Sequence, residues 1–367
     1  MASGSLLDLP YDGLLERLAD LPAYRTEQIW HAVYRDLTNS YESITTLPRP
    51  LRARLTSDVP FPTLDPIAET RSRDQRTTKS LFRLQDGETI ESVTMEYADR
   101  CTACVSSQVG CSIGCPFCAT GQSGFVRDLA IGEIVAQVLH AARSLREAGK
   151  TLSHVVYMGM GEPFLNYHAT IDSIRILNDP RGFSLGARSF TLSTAGIVPG
   201  IDRLAHEGLQ VNLAISLHAP SDRARERLVP VNRRYPIASL LAACKRYIEA
   251  THRRVTFEIA LIDGVNDDVE EARAIARLLR GLLCHVNLIR CNATGDLSLR
   301  PTPDRRVQAF AEVLSDAKIP VTIRQSMGTD IQAGCGQLRA REATREGASR
   351  PAAAPGTFSP SANHDRT

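Results

Sequence analysis

Lysine is nearly missing from this 367-residue chain: Lys79, Lys150, Lys245 and Lys318 are the only ones among 43 basic residues. Arginine carries the rest, and 41 acidic residues bring the net charge to +2. That balance excludes both a strongly basic nucleic-acid coat and an acidic solvating chain. Tryptophan occurs once, and aromatic residues make up 5%. No apolar run approaches the roughly 20 residues of a membrane span. The N-terminus has no signal-peptide layout, so a cytoplasmic protein with no membrane partner is expected. The hydrophobic share of 43% and charged share of 23% are ordinary for a globular chain. The length suffices for one large domain and a smaller one.

What is present in excess, locally, is cysteine. Five of the nine fall between residues 101 and 118. An odd total clustered in one segment is a metal or redox site in a reducing compartment, not a secreted disulfide framework. Cys111, Cys115 and Cys118 stand in a C-x3-C-x2-C spacing. Cubane iron–sulfur clusters normally take four cysteines, so three leave one iron open to another ligand. The competing reading pairs Cys101-x2-Cys104 with Cys115-x2-Cys118 as two zinc knuckles. That reading leaves Cys111 over and needs a shorter gap than zinc ribbons use.

Residues 5 to 59 read as helices, with Thr26 as the N-cap of the second. Pro48, Pro50, Pro60 and Pro62 punctuate the boundary. A hairpin follows: Lys79 to Gln85, an Asp86-Gly87 turn, then Thr89 to Tyr97. A polar, mostly basic loop precedes it, from Arg71 to Lys79. From residue 100 strands alternate with helices: strands at 101–106, 153–158, 189–194, 210–217, 254–261, 284–290 and 320–324, with helices at 131–148, 168–178, 198–207, 237–251, 268–281 and 303–316. Such alternation predicts βαβ units, an α/β class and an incomplete, parallel barrel-like sheet. The tail from about 343, rich in Ala, Pro, Ser and Gly, is expected to be disordered.

Polar candidates follow successive predicted strands: the cysteine cluster, Gly161-Glu162, Ser193, Ser216 with His218, and Asn292. In parallel barrels active sites are built at those strand ends. Taken singly, Ser193, Ser216, His218 and Asn292 would more often be strand-end capping or hydrogen-bonding residues, and His218 a satisfied core histidine. Glu91 shares a strand face with Val93 and Met95. A carboxylate there is either catalytic or paired with an arginine.

At these residues the chain resembles the radical S-adenosylmethionine (SAM) enzymes. In that superfamily the open iron chelates SAM, and reduction releases a 5′-deoxyadenosyl radical. Met158-Gly-Met-Gly-Glu-Pro163 looks like the motif for SAM's amino group. The likeness narrows to the adenine-methylating RlmN/Cfr group. It is carried by Cys104-Val-Ser-Ser-Gln-Val-Gly-Cys111, Met158 to Asn166, Thr191-Leu-Ser-Thr194, Ser216-Leu-His-Ala219, Asn287-Leu-Ile-Arg290 and Asp330-Ile-Gln-Ala-Gly-Cys-Gly-Gln-Leu338. It runs from about residue 6 to 340.

The resemblance implies a partial (β/α)6 radical-SAM barrel at 100–342. Before it come a helical accessory domain (1–62) that grips RNA and a hairpin extension (63–99). It implies a 4Fe-4S cluster on Cys111, Cys115 and Cys118. SAM would be held by Gly161, Glu162, Ser193, Ser216, Leu217, His218 and Asn292, although Ala293 stands where the group commonly has proline. Cys335 would be methylated by a first SAM, and a second would supply the radical that activates that methyl toward adenine. Glu91 would be the general base, and Cys104 would release the product through a transient disulfide with Cys335. Cys101 is the rival thiol. Tyr24-Arg25 followed by Trp30 would form an RNA-stacking turn, and the target base would flip out of its stack.

The expected activity is methylation of an adenosine in 23S rRNA at carbon 2, with tRNA as a second substrate, by a monomer fed electrons by flavodoxin or ferredoxin. The alternatives are carbon 8 of the same base, a zinc-bearing RNA-binding module without catalysis, and an activase that makes a protein radical.

Overall fold

The computed structural model describes residues 4–292 and 299–338; Ala293 and the expected disordered tail lie outside them. Its centre is a ten-stranded sheet in the order β1-β2-β3-β4-β7-β8-β9-β10-β11-β12. The first three strands, β1 (Leu64–Arg71), β2 (Thr77–Leu84) and β3 (Thr89–Glu96), form an antiparallel meander that joins β4 (Cys101–Cys104) antiparallel. From β4 onward every neighbour is parallel: β7 (His154–Tyr157), β8 (Phe190–Thr194), β9 (Asn212–Ser216), β10 (Val255–Leu261), β11 (Cys284–Arg290) and β12 (Val321–Arg324). No pairing among the described residues joins β12 back to β4, so the barrel is partial, as expected. A separate two-stranded ribbon, β5 (Gln108–Gly110) with β6 (Phe125–Asp128), brackets the cysteine loop.

The parallel strands follow from their residue types. In β10, Val255, Phe257, Ile259 and Leu261 are wholly buried, while Thr256, Glu258 and Ala260 take the alternate face. In β8, buried Phe190 and Leu192 alternate with half-buried Thr191 and Ser193. Period two separates the faces: bulky side chains meet the helices, and polar ones face the barrel interior. Barrel interiors are ordinarily filled with branched apolar side chains. A polar interior marks this one as a site.

Helices connect the strands: α4 (Ala119–Gln122) and α5 (Ile131–Glu147), then α6 (Tyr167–Asn178), α7 (Val198–Leu204), α8 (Asp222–Leu228) with α9 (Ile237–Thr251), α10 (Val269–Leu278) and α11 (Asp304–Asp316). Within α5, Ile134, Val135, Val138 and Leu139 are at most 1% exposed. Each such side chain contributes about 1.5–3 kcal/mol relative to exposure.

Ahead of the sheet lie α1 (Tyr11–Arg17), α2 (Ala23–Tyr34) and α3 (Arg49–Asp58), each starting behind a proline: Pro10, Pro22 and Pro48. Thr26 is therefore not an N-cap. It lies inside α2, buried, with its hydroxyl unpartnered. Nor does Trp30 belong to a stacking turn. It is 1% exposed, with Tyr11 edge-on at 5.5 Å and Tyr34 at 4.3 Å, and packs against Gly182 in the loop after α6. A lone tryptophan on an amphipathic helix has more area to bury than any neighbour, and here it docks the helices on the sheet's outer layer. Tyr24 is exposed with the Arg25 guanidinium 4.8 Å from its ring. No described helix is long and apolar enough to cross a membrane.

Candidate active site

The loop between β5 and β6 carries the three spaced cysteines. It can close only because Gly110 has φ +75° and no side chain: a Cβ there would lie 1.9 Å from the Gly124 carbonyl oxygen. Cys111 donates its N–H to that same oxygen at 2.8 Å, and Cys118 donates to the Cys115 carbonyl at 3.1 Å. Burial pushes the Cys111 thiol up to about 12, and the neighbouring sulfurs of Cys118 and Cys111 add to the burial that raises Cys115. Buried thiols such as Cys111 and Cys115 are disposed to ionise only when a cation joins them. Among the described residues no three His, Cys, Asp or Glu converge closely enough for a single metal ion. A four-iron cluster spans its ligands farther apart than one ion does, so the donor set suits the cluster better than zinc. Cys101 opens β4 and Cys104 closes it, so the pairing that the zinc reading needs is split along a strand.

The segment after β7 lies against this loop. Gly161 has φ +101°, and a Cβ would meet Gln108 at 2.6 Å. Glu162 is 3% exposed; its N–H donates to Gln108 Oε1 at 2.8 Å. Its carboxylate accepts from the N–H groups of Phe164 (3.0 Å) and Ala195 (2.7 Å), tying the ends of β7 and β8 together. Burial raises its pKa to about 7, against those hydrogen bonds. The Thr194 side chain adds a third bond; an ionised carboxylate has about four lone-pair sites, so one is left for an ammonium.

Ser193 lies near the end of β8 and Ser216 closes β9, both half-buried. Leu217 is fully buried and offers only backbone; its N–H donates to the Glu258 carbonyl at 3.1 Å. His218 has φ +59°, a conformation a non-glycine residue rarely holds. Its Nδ1 accepts from the Ala260 N–H at 3.0 Å, and burial depresses its pKa to about 3. The ring is therefore neutral, and with Nδ1 accepting, the proton sits on Nε2. Phe117, from the cysteine loop, packs edge-on to it at 4.9 Å.

The Cys335 loop closes the site. Asn292 Nδ2 donates to the Cys335 carbonyl (3.0 Å), Ala119 N–H to that of Gly336 (2.7 Å), and Thr120 Oγ1 to that of Leu338 (2.7 Å). Cys335 is exposed as a residue, yet it lines a cavity together with Cys104, Met95, Met158 and Arg324. Crowding by protein pushes its thiol up to about 11, with Arg324 pulling the other way. Cys104 is pushed up to about 12, first by burial and then by Cys335. All nine cysteines are free thiols, so the implied disulfide is not formed here.

Glu91 is 5% exposed, and Lys79 Nζ stands 3.1 Å from its Oε1. The carboxylate is thus ion-paired with a lysine, one of four in the chain. The Glu91 backbone holds the site together: its carbonyl accepts from Ser106 Oγ at 2.6 Å, and that hydroxyl accepts from the Met160 N–H at 2.9 Å.

Two groups escaped the sequence reading. Arg225 on α8 is wholly buried and donates to the carbonyls of Ala195, Ser216 and Leu217 and to Asn232 Oδ1. It fastens the β8 and β9 ends that carry Ser193, Ser216 and His218. Glu258, mid-strand on β10, accepts from Asn287 Nδ2 at 2.9 Å and faces Arg324 at 3.8 Å.

Comparison with known proteins gives concordant likenesses. The model of the radical SAM superfamily matches residues 105–277. A probable dual-specificity RNA methyltransferase RlmN of Chloroflexus aurantiacus is 48% identical over 348 residues, covering 90% of this chain and 92% of that protein. Its counterpart in Geobacillus kaustophilus is 45% identical, covering 88% of each. The crystal structure of a radical SAM methyltransferase from Sphaerobacter thermophilus superposes with a TM-score of 0.91 at 54% identity, covering 92% of this chain and 99% of that one.

Proposed function

Because the chain belongs to the radical SAM superfamily and, within it, to the RlmN group of RNA methyltransferases, we propose that it methylates carbon 2 of an adenosine in 23S rRNA. It is a radical SAM RNA adenine methyltransferase that uses a 4Fe-4S cluster and SAM. A second substrate in tRNA is our reading of the relatives' dual specificity. The observation that carries the mechanism is the shared cavity of Cys104 and Cys335 beside the cysteine loop. We read the protein as a cytoplasmic monomer supplied by flavodoxin or ferredoxin.

Cys111, Cys115 and Cys118 would hold the cluster, which when bound supplies the open iron for SAM and the electron that makes it a radical source. Gly161 and Glu162 would take the ammonium of SAM. His218 would donate from Nε2, and Ser193, Ser216, Leu217 and Asn292 would supply the remaining polar contacts. Cys335 takes a methyl group from one SAM and, after a second has activated it, carries the carbon to the adenine ring. Glu91 accepts the proton displaced from that ring carbon, beside the Lys79 ammonium.

Cys104 then attacks the sulfur of Cys335. The carbon–sulfur bond breaks with its electron pair going to the carbon, which takes up a proton to complete the methyl group. The methylated base leaves, and the Cys104–Cys335 disulfide that forms is returned to two thiols by a two-electron thiol reductant.

The helices before residue 62 are read as an accessory RNA-binding domain, and 63–99 as an extension that carries Glu91. Mass spectrometry of rRNA from a methylation-deficient host expressing this chain tests the reading. A single methyl on carbon 2 is expected. Methyl on carbon 8 would transfer the protein to the other activity, and unmodified adenosine would overturn the reading.

A further inference from the structure

The turn between β1 and β2 is the basic segment that the mechanism does not use. Arg71, Arg73 and Arg76 are all exposed, and none has a carboxylate within ion-pair distance among the described residues. The turn itself is tightly built. Ser72 Oγ donates to Asp74 Oδ1 at 2.5 Å and accepts from the Thr77 N–H at 3.0 Å; Asp74 Oδ1 also accepts from the Arg76 N–H at 3.0 Å. The one acidic group of the turn is thereby directed at its own backbone, which leaves three guanidiniums outward. Three outward cations on a rigid turn are a footprint for phosphates, which arginine binds bidentately.

Placement gives the footprint its meaning. The Arg73 N–H donates to Asp330 Oδ2 at 2.9 Å, and Thr77 packs on Gly328, where a Cβ would lie 2.6 Å from its methyl. Lys79, just beyond the turn, touches both the Gln332 carbonyl at 3.5 Å and Glu91. The turn therefore braces the segment that leads into Cys335. Arg100 adds a further guanidinium near the cavity, 4.3 Å over the ring of Tyr97, a cavity-lining residue.

We propose that Arg71, Arg73 and Arg76 anchor the RNA backbone next to the nucleotide that enters the cavity, on the same turn that braces the Cys335 loop. The proposal rests on the RNA methyltransferase reading and adds to it a docking surface outside the N-terminal helices. Phosphate contacts fix register and orientation without reading sequence, which is what a flipped nucleotide requires of its flanks.

The test is the salt dependence of binding by the full-length, cluster-loaded protein. Its probe is a fluorescein-labelled RNA hairpin with an unmodified adenosine in its loop, read by anisotropy. Each lost phosphate contact in single-stranded RNA lowers the slope of log Kd against log salt by about 0.7, so the R71Q/R73Q/R76Q variant should lose about 2 from its slope. The triple lysine variant, which keeps the charges, should retain it. If the glutamine variant misfolds, Arg73→Gln alone should lose about 0.7. Unchanged slope and affinity in the glutamine variants would overturn the anchor while leaving the methyltransferase reading in place. A wild-type protein with no salt-dependent RNA binding would overturn both.

Discussion

Arg225 offers the sharpest test of how the SAM side of the site is held. Its guanidinium is fully buried and donates to Ala195 O at 2.6 Å, Ser216 O at 2.8 Å, Asn232 Oδ1 at 2.9 Å and Leu217 O at 3.2 Å. Burial lowers its pKa to about 10, so at neutral pH it remains a cation held almost entirely by neutral acceptors. Arg225→Met would strip a donor from each of these acceptors, at about 1–3 kcal/mol for every one left unsatisfied. Against that, removing an isolated buried charge recovers several kcal/mol of desolvation. With the two set against each other, the variant should be destabilised by about 3 kcal/mol. Urea denaturation of the cluster-free chain reads this directly. Anaerobic calorimetry on the reconstituted protein should show SAM binding weakened at least about ten-fold, or about 1.4 kcal/mol, because Ser216 to His218 lose their tie. Arg225→Lys keeps the charge but offers its donors from one point, and should weaken SAM binding as well. A methionine variant with unchanged stability and unchanged SAM affinity would refute the role.

Two further outcomes follow from the site. Cys104→Ala should accumulate a covalent RNA–protein adduct through Cys335, visible as a shifted band and by mass; free turnover in that variant would sink the resolving role. Glu162 has a folded pKa near 7 against an ordinary 4.5, so its contribution to stability is fully present below pH 4.5 and is lost as pH rises through 7. At about 1.36 kcal/mol per unit the loss is about 3 kcal/mol. Glu162→Gln should flatten the urea midpoint of the cluster-free chain between pH 5 and pH 8, and an unchanged pH slope would contradict the buried carboxylate.

The parallel sheet was legible because its strands are dense in Val, Ile, Leu and Phe and are separated by amphipathic helices of ordinary length. The strand β1 was not. Its sequence contains Pro66, it is mostly exposed, and its register shifts between Pro66 and Ala68. Proline and a bulge are tolerated on an edge strand, but they erase the period-two signal that would announce it. Arg225 was hidden differently. In Asp222-Arg-Ala-Arg-Glu-Arg227 three arginines read as a solvated face, and only burial at Arg225 and Leu228, three apart, marks the inward stripe. Glu258 could have been found by the logic that found Glu91, since it is an acidic residue inside the apolar run Val255 to Leu261.

The Cys335 loop shows why the rest needs three dimensions. Its flanks are held by Asn292 after β11, by Ala119 and Thr120 at the start of α4, and by Lys79 on β2. No local pattern encodes contacts drawn from three such distant segments. Those contacts go to backbone carbonyls, which leaves the thiol itself unheld by hydrogen bonds among the described residues. Cys335 can therefore turn while its loop stays anchored, which is the freedom that the proposed role, accepting a carbon and then surrendering it, would need.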